Sequence, residues 1–134
     1  MQLDRRELVA VVAVFAGGCI GALARVWLGR ALPAGAGDWP WATLLANVGG
    51  SFLLGYLVTH LHERRLDSTY RRAFLGTGLC GALTTFSAFQ LETVQLAGHG
   101  HAGLAAAYVA LSLTLGLAAF TAATGLARRR EATA

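Results

Sequence analysis

The sequence predicts an all-α membrane protein with four transmembrane helices in one domain spanning residues 1–134, and three observations carry that reading. Hydrophobic residues make up 55% of the chain and charged ones 13%, about half the ~25% charge of an ordinary soluble domain, and the mean hydropathy is +0.54. Four runs approach the ~20 apolar residues that a bilayer span needs: Leu8 to Leu32, Trp41 to Leu61, Ala73 to Leu91 and Ala102 to Ala127. The eleven basic residues are all arginine and stand at or near the ends of those runs.

That placement accounts for the net charge of +4 through the positive-inside rule and attraction to anionic headgroups. Nucleic acid is not an expected partner, because no basic face interleaved with aromatic residues can be traced. Both cysteines, Cys19 and Cys80, fall mid-span and read as small hydrophobes rather than as a redox pair.

In the first run, Leu8 to Ala24 carries no charge and is longer than the ~7–15 apolar residues of a signal peptide core. It reads as an uncleaved helix, and the AGGC at Ala16 to Cys19 as small residues of a packed face rather than a lipoprotein cleavage site. Gly17 and Gly21 form a GxxxG pair, repeated one residue on by Gly18 and Ala22, which lets a neighbouring helix approach closely. Arg25, one turn further, is either an interfacial anchor or an arginine that draws anions into a vestibule.

Residues 30–40 form a loop with Pro33, Asp38 and Pro40, flanked by Trp39 and Trp41 at headgroup level. The second run places Thr43, Asn47 and Ser51 at successive i+4 positions on one helix face. An asparagine in mid-membrane is costly unless it bonds across helices or lines water, and both readings stay open. His60 to Arg72 is the most charged stretch; His60 and His62, two apart, do not share a helix face and predict no metal site. Ala97 to Gly103 is a glycine-rich turn, and in the fourth run Tyr108, Ser112 and Gly116 share one face as a short polar stripe.

The third run is the anomalous one. Gly78 to Phe89, GLCGALTTFSAF, weakens its helix with Gly78 and Gly81, while Thr84 and Thr85 can bond local carbonyls. The pattern predicts a helix broken near its middle. Unwound backbone at bilayer depth is tolerated where it is buried in protein or lines a cavity, and a freed carbonyl cluster suits a hard cation such as Na+, completed by a partner copy. Phe86 and Phe89 share a face; the pattern alone favours ordinary core packing, with ring edges turned toward an anion as the alternative.

GGCIGALAR at Gly17 to Arg25, TLLANVGGSFLLG at Thr43 to Gly55 and GLCGALTTFSAF together resemble the signatures of the CrcB/Fluc fluoride channel family, with TTFS and its following phenylalanine the most specific signal. The resemblance covers all four spans. It implies small four-helix chains paired antiparallel into a dimer with two anion pores and a central structural Na+, exporting fluoride passively from the cytoplasm across the cell membrane. By position it implies that backbone carbonyls of Gly81 and Thr84 hold the Na+, and that Asn47, Phe86, Phe89, Ser87, Thr43, Tyr108 and Ser112 line the pore. Arg25 and Glu92 would stand at its vestibule. Gly116 departs from the hydroxyl the family commonly carries there.

The arginines bear on pairing: nine lie in the N-terminal, middle and C-terminal polar segments, and two, Arg25 and Arg30, toward the other side. The positive-inside rule therefore puts both termini in the cytoplasm, and the dimer is expected either with itself or with an oppositely oriented relative. A small multidrug transporter would need a carboxylate in the first span, which Leu8 to Leu32 lacks. A non-transporting scaffold leaves Asn47 and the third run unexplained, and no nucleophile, base and orienting group can be assembled for an enzyme.

Overall fold

The computed structural model describes residues 4–35, 37–63 and 69–132. Four helical segments among them are long and apolar enough to cross a membrane: Arg5–Ala31, Trp41–Leu61, Thr69–Gly98 and Ala102–Arg130. The first helix, α1 (Arg5–Ala31), opens on a capping box in which the Asp4 carboxylate accepts from the backbone and the Glu7 side chain accepts from the Asp4 amide. It stops just before Pro33. Gly37, at φ +91°, turns the chain toward α2 (Trp41–Glu63).

The third crossing is compound. Thr69–Arg71 leads without interruption into Arg72–Cys80, wound as a π-helix, and then Gly81–Leu83; these pieces together are α3. The wider winding shows at its end, where the Gly81 amide donates to the Gly76 carbonyl five residues back. Thr84 (φ −77°, ψ 151°) and Thr85 (φ −149°, ψ 121°) are then extended. Helix α4 (Phe86–Gly98) begins immediately after, capped by the Thr85 hydroxyl, which accepts from the Ala88 amide at 3.2 Å. A turn through Gly100, at φ +86°, leads into α5 (Ala102–Ala132).

Helix α1 lies chiefly along α3, and α2 along α5, with α4 also against α5. Small residues make the first contact possible. A Cβ on Gly17 would meet the Phe74 carbonyl, one on Gly21 the Leu79 carbonyl, and one on Gly78 the Val14 carbonyl at 2.6 Å. Gly18, by contrast, faces open space, so only one of the two overlapping small-residue pairs is an interface. Gly50 on α2 admits the methyl group of Thr84, and Gly55 admits Phe120 of α5. The buried core is compact, with Leu44, Phe89, Leu96, Ala105 and Tyr108 at its centre. Large side chains such as Phe15, Leu23, Leu113 and Leu117 point outward, as lipid-facing surfaces do.

The third crossing continues to Gly98, past the Leu91 boundary expected from hydropathy. Glu92 does not end it, because its carboxylate is received by hydroxyls of two neighbouring helices. The polar connection expected at His60 to Arg72 is helical at both ends, through Glu63 and from Thr69; residues 64–68 lie outside the described ones.

Gly21→Val should lower stability by about 1–3 kcal/mol through overpacking, whereas Gly18→Val should leave it nearly unchanged. Thermal unfolding of the detergent-purified protein measures both.

Candidate functional site

The centre of the site is a pair of hydrogen bonds between a side chain and a peptide group. The Asn47 amide nitrogen donates to the Thr85 carbonyl at 3.1 Å, and the Thr85 amide donates to the Asn47 oxygen at 2.8 Å. Asn47 thereby acts as a surrogate strand for one residue of extended backbone, and supplies the partners that an interrupted helix otherwise lacks in lipid. One of its two amide hydrogens is committed in this way. Only the other is left for a ligand.

The same bonds alter the helix before the break. In an unbroken helix the Thr85 amide would donate to the carbonyl of Gly81; turned to Asn47, it leaves that carbonyl without its i+4 amide. Gly81 is exposed, and the ψ of 151° at Thr84 takes the Thr84 carbonyl out of the helical ladder. The Thr84 hydroxyl is turned inward, donating to the Cys80 carbonyl at 2.9 Å. Carbonyl oxygens are the hard donors that a small monovalent cation takes. The two residues named from sequence for a cation thus present the right atom type, and two oxygens from one chain are too few to enclose it.

A second cluster lies nearer the end of the bundle that carries the α1–α2 loop. Glu92, on α4, accepts from Thr43 of α2 at 2.6 Å and from Tyr108 of α5 at 2.7 Å. Tyr108 is wholly buried, its ring met edge-on by Trp39 at 5.7 Å and flanked by Phe89 at 5.3 Å. Two of the four hydroxyls expected to line the pore, those of Thr43 and Tyr108, are therefore given to a carboxylate fixed to the chain.

Two cavities flank these clusters. The first, about 490 Å³, is lined by Arg25, Asp38, Thr43, Thr85, Glu92 and His99 among others. The second, about 550 Å³, is lined by Asn47, Thr84, Phe86, Phe89 and Ser112, with Gly81 and Gly116. Thr85 borders both. Phe86 and Phe89 stand 5.8 Å apart, ring centre to ring centre, yet differ in setting: Phe86 is 68% exposed and Phe89 8%. The Ser112 hydroxyl is buried with no hydrogen-bond partner among the described residues. Ser87, exposed at the start of α4, shares a 3.2 Å hydroxyl contact with Thr85.

Arg25 also has a defined bond. Its Nε donates to the Ala82 carbonyl at 3.1 Å, so it fastens the last turn of α3 while lining the first cavity. Sequence reading grouped Thr85 with Thr84 as a residue bonding local carbonyls and gave it no place in the site. Nothing local marks it apart from Thr84; what distinguishes it is a partner 38 positions away.

A family model described as CrcB-like protein, Camphor Resistance (CrcB) matches residues 12–125. The chain is 56% identical over 126 residues to the fluoride-specific ion channel FluC 1 of Mycobacterium tuberculosis, covering 94% of this chain and 93% of the relative. It is 50% identical over 128 residues to FluC 1 of Mycolicibacterium paratuberculosis, with coverage of 96% and 95%. Identity to FluC of Agrobacterium fabrum is 40% over 122 residues, covering 90% and 98%.

Asn47→Ala should cost about 2–4 kcal/mol, since it removes two bonds and leaves a peptide group unsatisfied. It should also speed hydrogen exchange at the Thr85 amide. Both are read on the purified protein in detergent, and unchanged exchange would count against Asn47 as the holder of the break.

Proposed function

This chain belongs to the CrcB family, and from that premise we propose that it is a fluoride channel, through which cytoplasmic fluoride leaves down its electrochemical gradient. It is a multi-pass membrane protein and not an enzyme. A negative cytoplasmic potential favours export by about 2.3 kcal/mol per charge per 100 mV, with no coupled energy source.

The observation that carries the pathway is the Ser112 hydroxyl, buried without a partner in the groove that Asn47, Phe86 and Phe89 also line. An unsatisfied buried hydroxyl costs about 1–3 kcal/mol, and a transient anion that accepts from it offsets that cost. Fluoride holds its hydration shell strongly, so a path for it must gather several donors. The remaining Asn47 hydrogen, the Ser112 and Ser87 hydroxyls and the positive ring edges of Phe86 and Phe89 are such a set. Thr43 and Tyr108 join it only by exchanging the Glu92 carboxylate for the passing ion. Arg25, with Nε on Ala82, keeps its outer guanidinium nitrogens for the vestibule.

The exposed Phe86, the exposed Gly81 and the open side of the second cavity support a second chain against this face, arranged antiparallel. In that arrangement the Gly81 and Thr84 carbonyls of both copies would hold a Na+, which would supply a fixed positive charge between two anion paths. The arginine distribution supports cytoplasmic termini and a cell-membrane location. It also favours pairing with an oppositely oriented relative over pairing with itself.

Fluoride efflux from proteoliposomes is the deciding measurement. Phe86→Ala and Phe89→Ala should bring efflux close to the leak of empty vesicles, and Ser112→Ala should slow it roughly tenfold, the loss of about one buried donor. Conduction by all three variants at the wild-type rate would refute the pore assignment. Conduction by this chain expressed alone would refute an obligatory pairing with a relative.

A further inference from the structure

Away from the pathway, a third cavity of about 320 Å³ opens between α2 and the π-wound part of α3. It is lined by Leu54, Leu57, Val58 and Leu61 on one wall and Arg72, Gly76 and Thr77 on the other. One wall is wholly aliphatic, and Gly76 leaves the other open, since a Cβ there would meet nothing within 4 Å. Val58 is 52% exposed, so the cleft faces out of the bundle.

The polar groups of this cleft are unused. Among the described residues the Arg72 guanidinium makes no hydrogen bond or ion pair, whereas Arg71 and Arg128 to Arg130 at the same end of the bundle each have an interaction. Thr77 is equally unusual. Thr59, Thr93, Thr114 and Thr121 each return their hydroxyl to a carbonyl of their own helix, as threonines in membrane helices do, whereas the Thr77 hydroxyl has no partner among the described residues. Arg72 stands where α3 enters the span, at the arginine-rich end. Thr77 is about one turn, ~5 Å, deeper, and the aliphatic wall of α2 runs alongside.

We propose that this cleft is a binding site for one anionic glycerophospholipid. Its phosphate pairs with Arg72, its ester region accepts from Thr77, and an acyl chain lies along Leu54, Leu57, Val58 and Leu61. The order of charge, neutral donor and hydrocarbon down the cleft matches the order of groups in such a lipid. A guanidinium at headgroup level selects the anionic headgroup over a zwitterionic one. Leu54 and Gly76 also line the second cavity, so the acyl chain abuts the wall of the proposed pore.

The test is native mass spectrometry of the full chain in detergent, titrated with dioleoyl phosphatidylglycerol or dioleoyl phosphatidylcholine. Wild type should retain one phosphatidylglycerol per chain in preference to phosphatidylcholine. Arg72→Gln should weaken phosphatidylglycerol retention about fivefold, one surface charge's worth, and erase the preference. Thr77→Val, which keeps the shape, should weaken retention of both lipids alike. Wild-type retention by both variants would overturn the proposal. A change in the monomer and dimer masses with lipid retention unaltered would assign the cleft to a protein interface and overturn it equally.

Discussion

Everything distinctive about this bundle depends on two hydrogen bonds between the Asn47 side chain and the Thr85 peptide group. In water an interrupted helix is relieved by solvent. In the hydrocarbon core each abandoned amide or carbonyl costs several kcal/mol, so a break persists only where the protein supplies substitutes. Asn47 supplies one donor and one acceptor, the pair that an extended residue needs. The α4 helix can therefore start afresh at Phe86 on its own N-cap, and its phenylalanines take a direction that a continuous helix would not give them.

The break is held from its other side as well. Arg25 fastens the Ala82 carbonyl, and Gly17 and Gly21 let α1 reach the α3 backbone close by. Gly50 receives the Thr84 methyl group. Residues scattered over α1 and α2 thus converge on five or six positions of the third crossing. The cost of distorted backbone is met by close contacts of many small groups rather than by one strong bond, as expected where lipid offers no hydrophobic drive for helix association.

The four crossings were legible because length and hydropathy alone specify them, and Thr43 and Asn47 were legible because an i+4 row of polar residues in a span has few innocent explanations. The glycines of α1 were read correctly as a contact face, but spacing could not choose between Gly17 with Gly21 and Gly18 with Ala22. That choice belongs to the partner helix. Hydropathy ended the third crossing at Glu92's approach because a scale treats a carboxylate as a cost, blind to hydroxyls on two other helices. That one Asn47 hydrogen is given to Thr85 was hidden for the same reason: its partner is distant in sequence. Phe86 and Phe89 look alike as letters and differ in exposure only because of the surface each meets.

The π-wound stretch of α3 has a consequence for direction. A π turn accommodates one residue more than an α turn, so the stretch works as an angular offset: it sets the heading of everything after it relative to everything before. If the stretch took ordinary α winding with no residue removed, the extra residue would no longer be absorbed. Gly81 and Thr84 would then rotate by about 100° about the helix axis, turning their carbonyls off the open face and Thr85 away from Asn47. The winding is the dial by which a helix pinned to α1 at its glycines is aimed at α2 at its break.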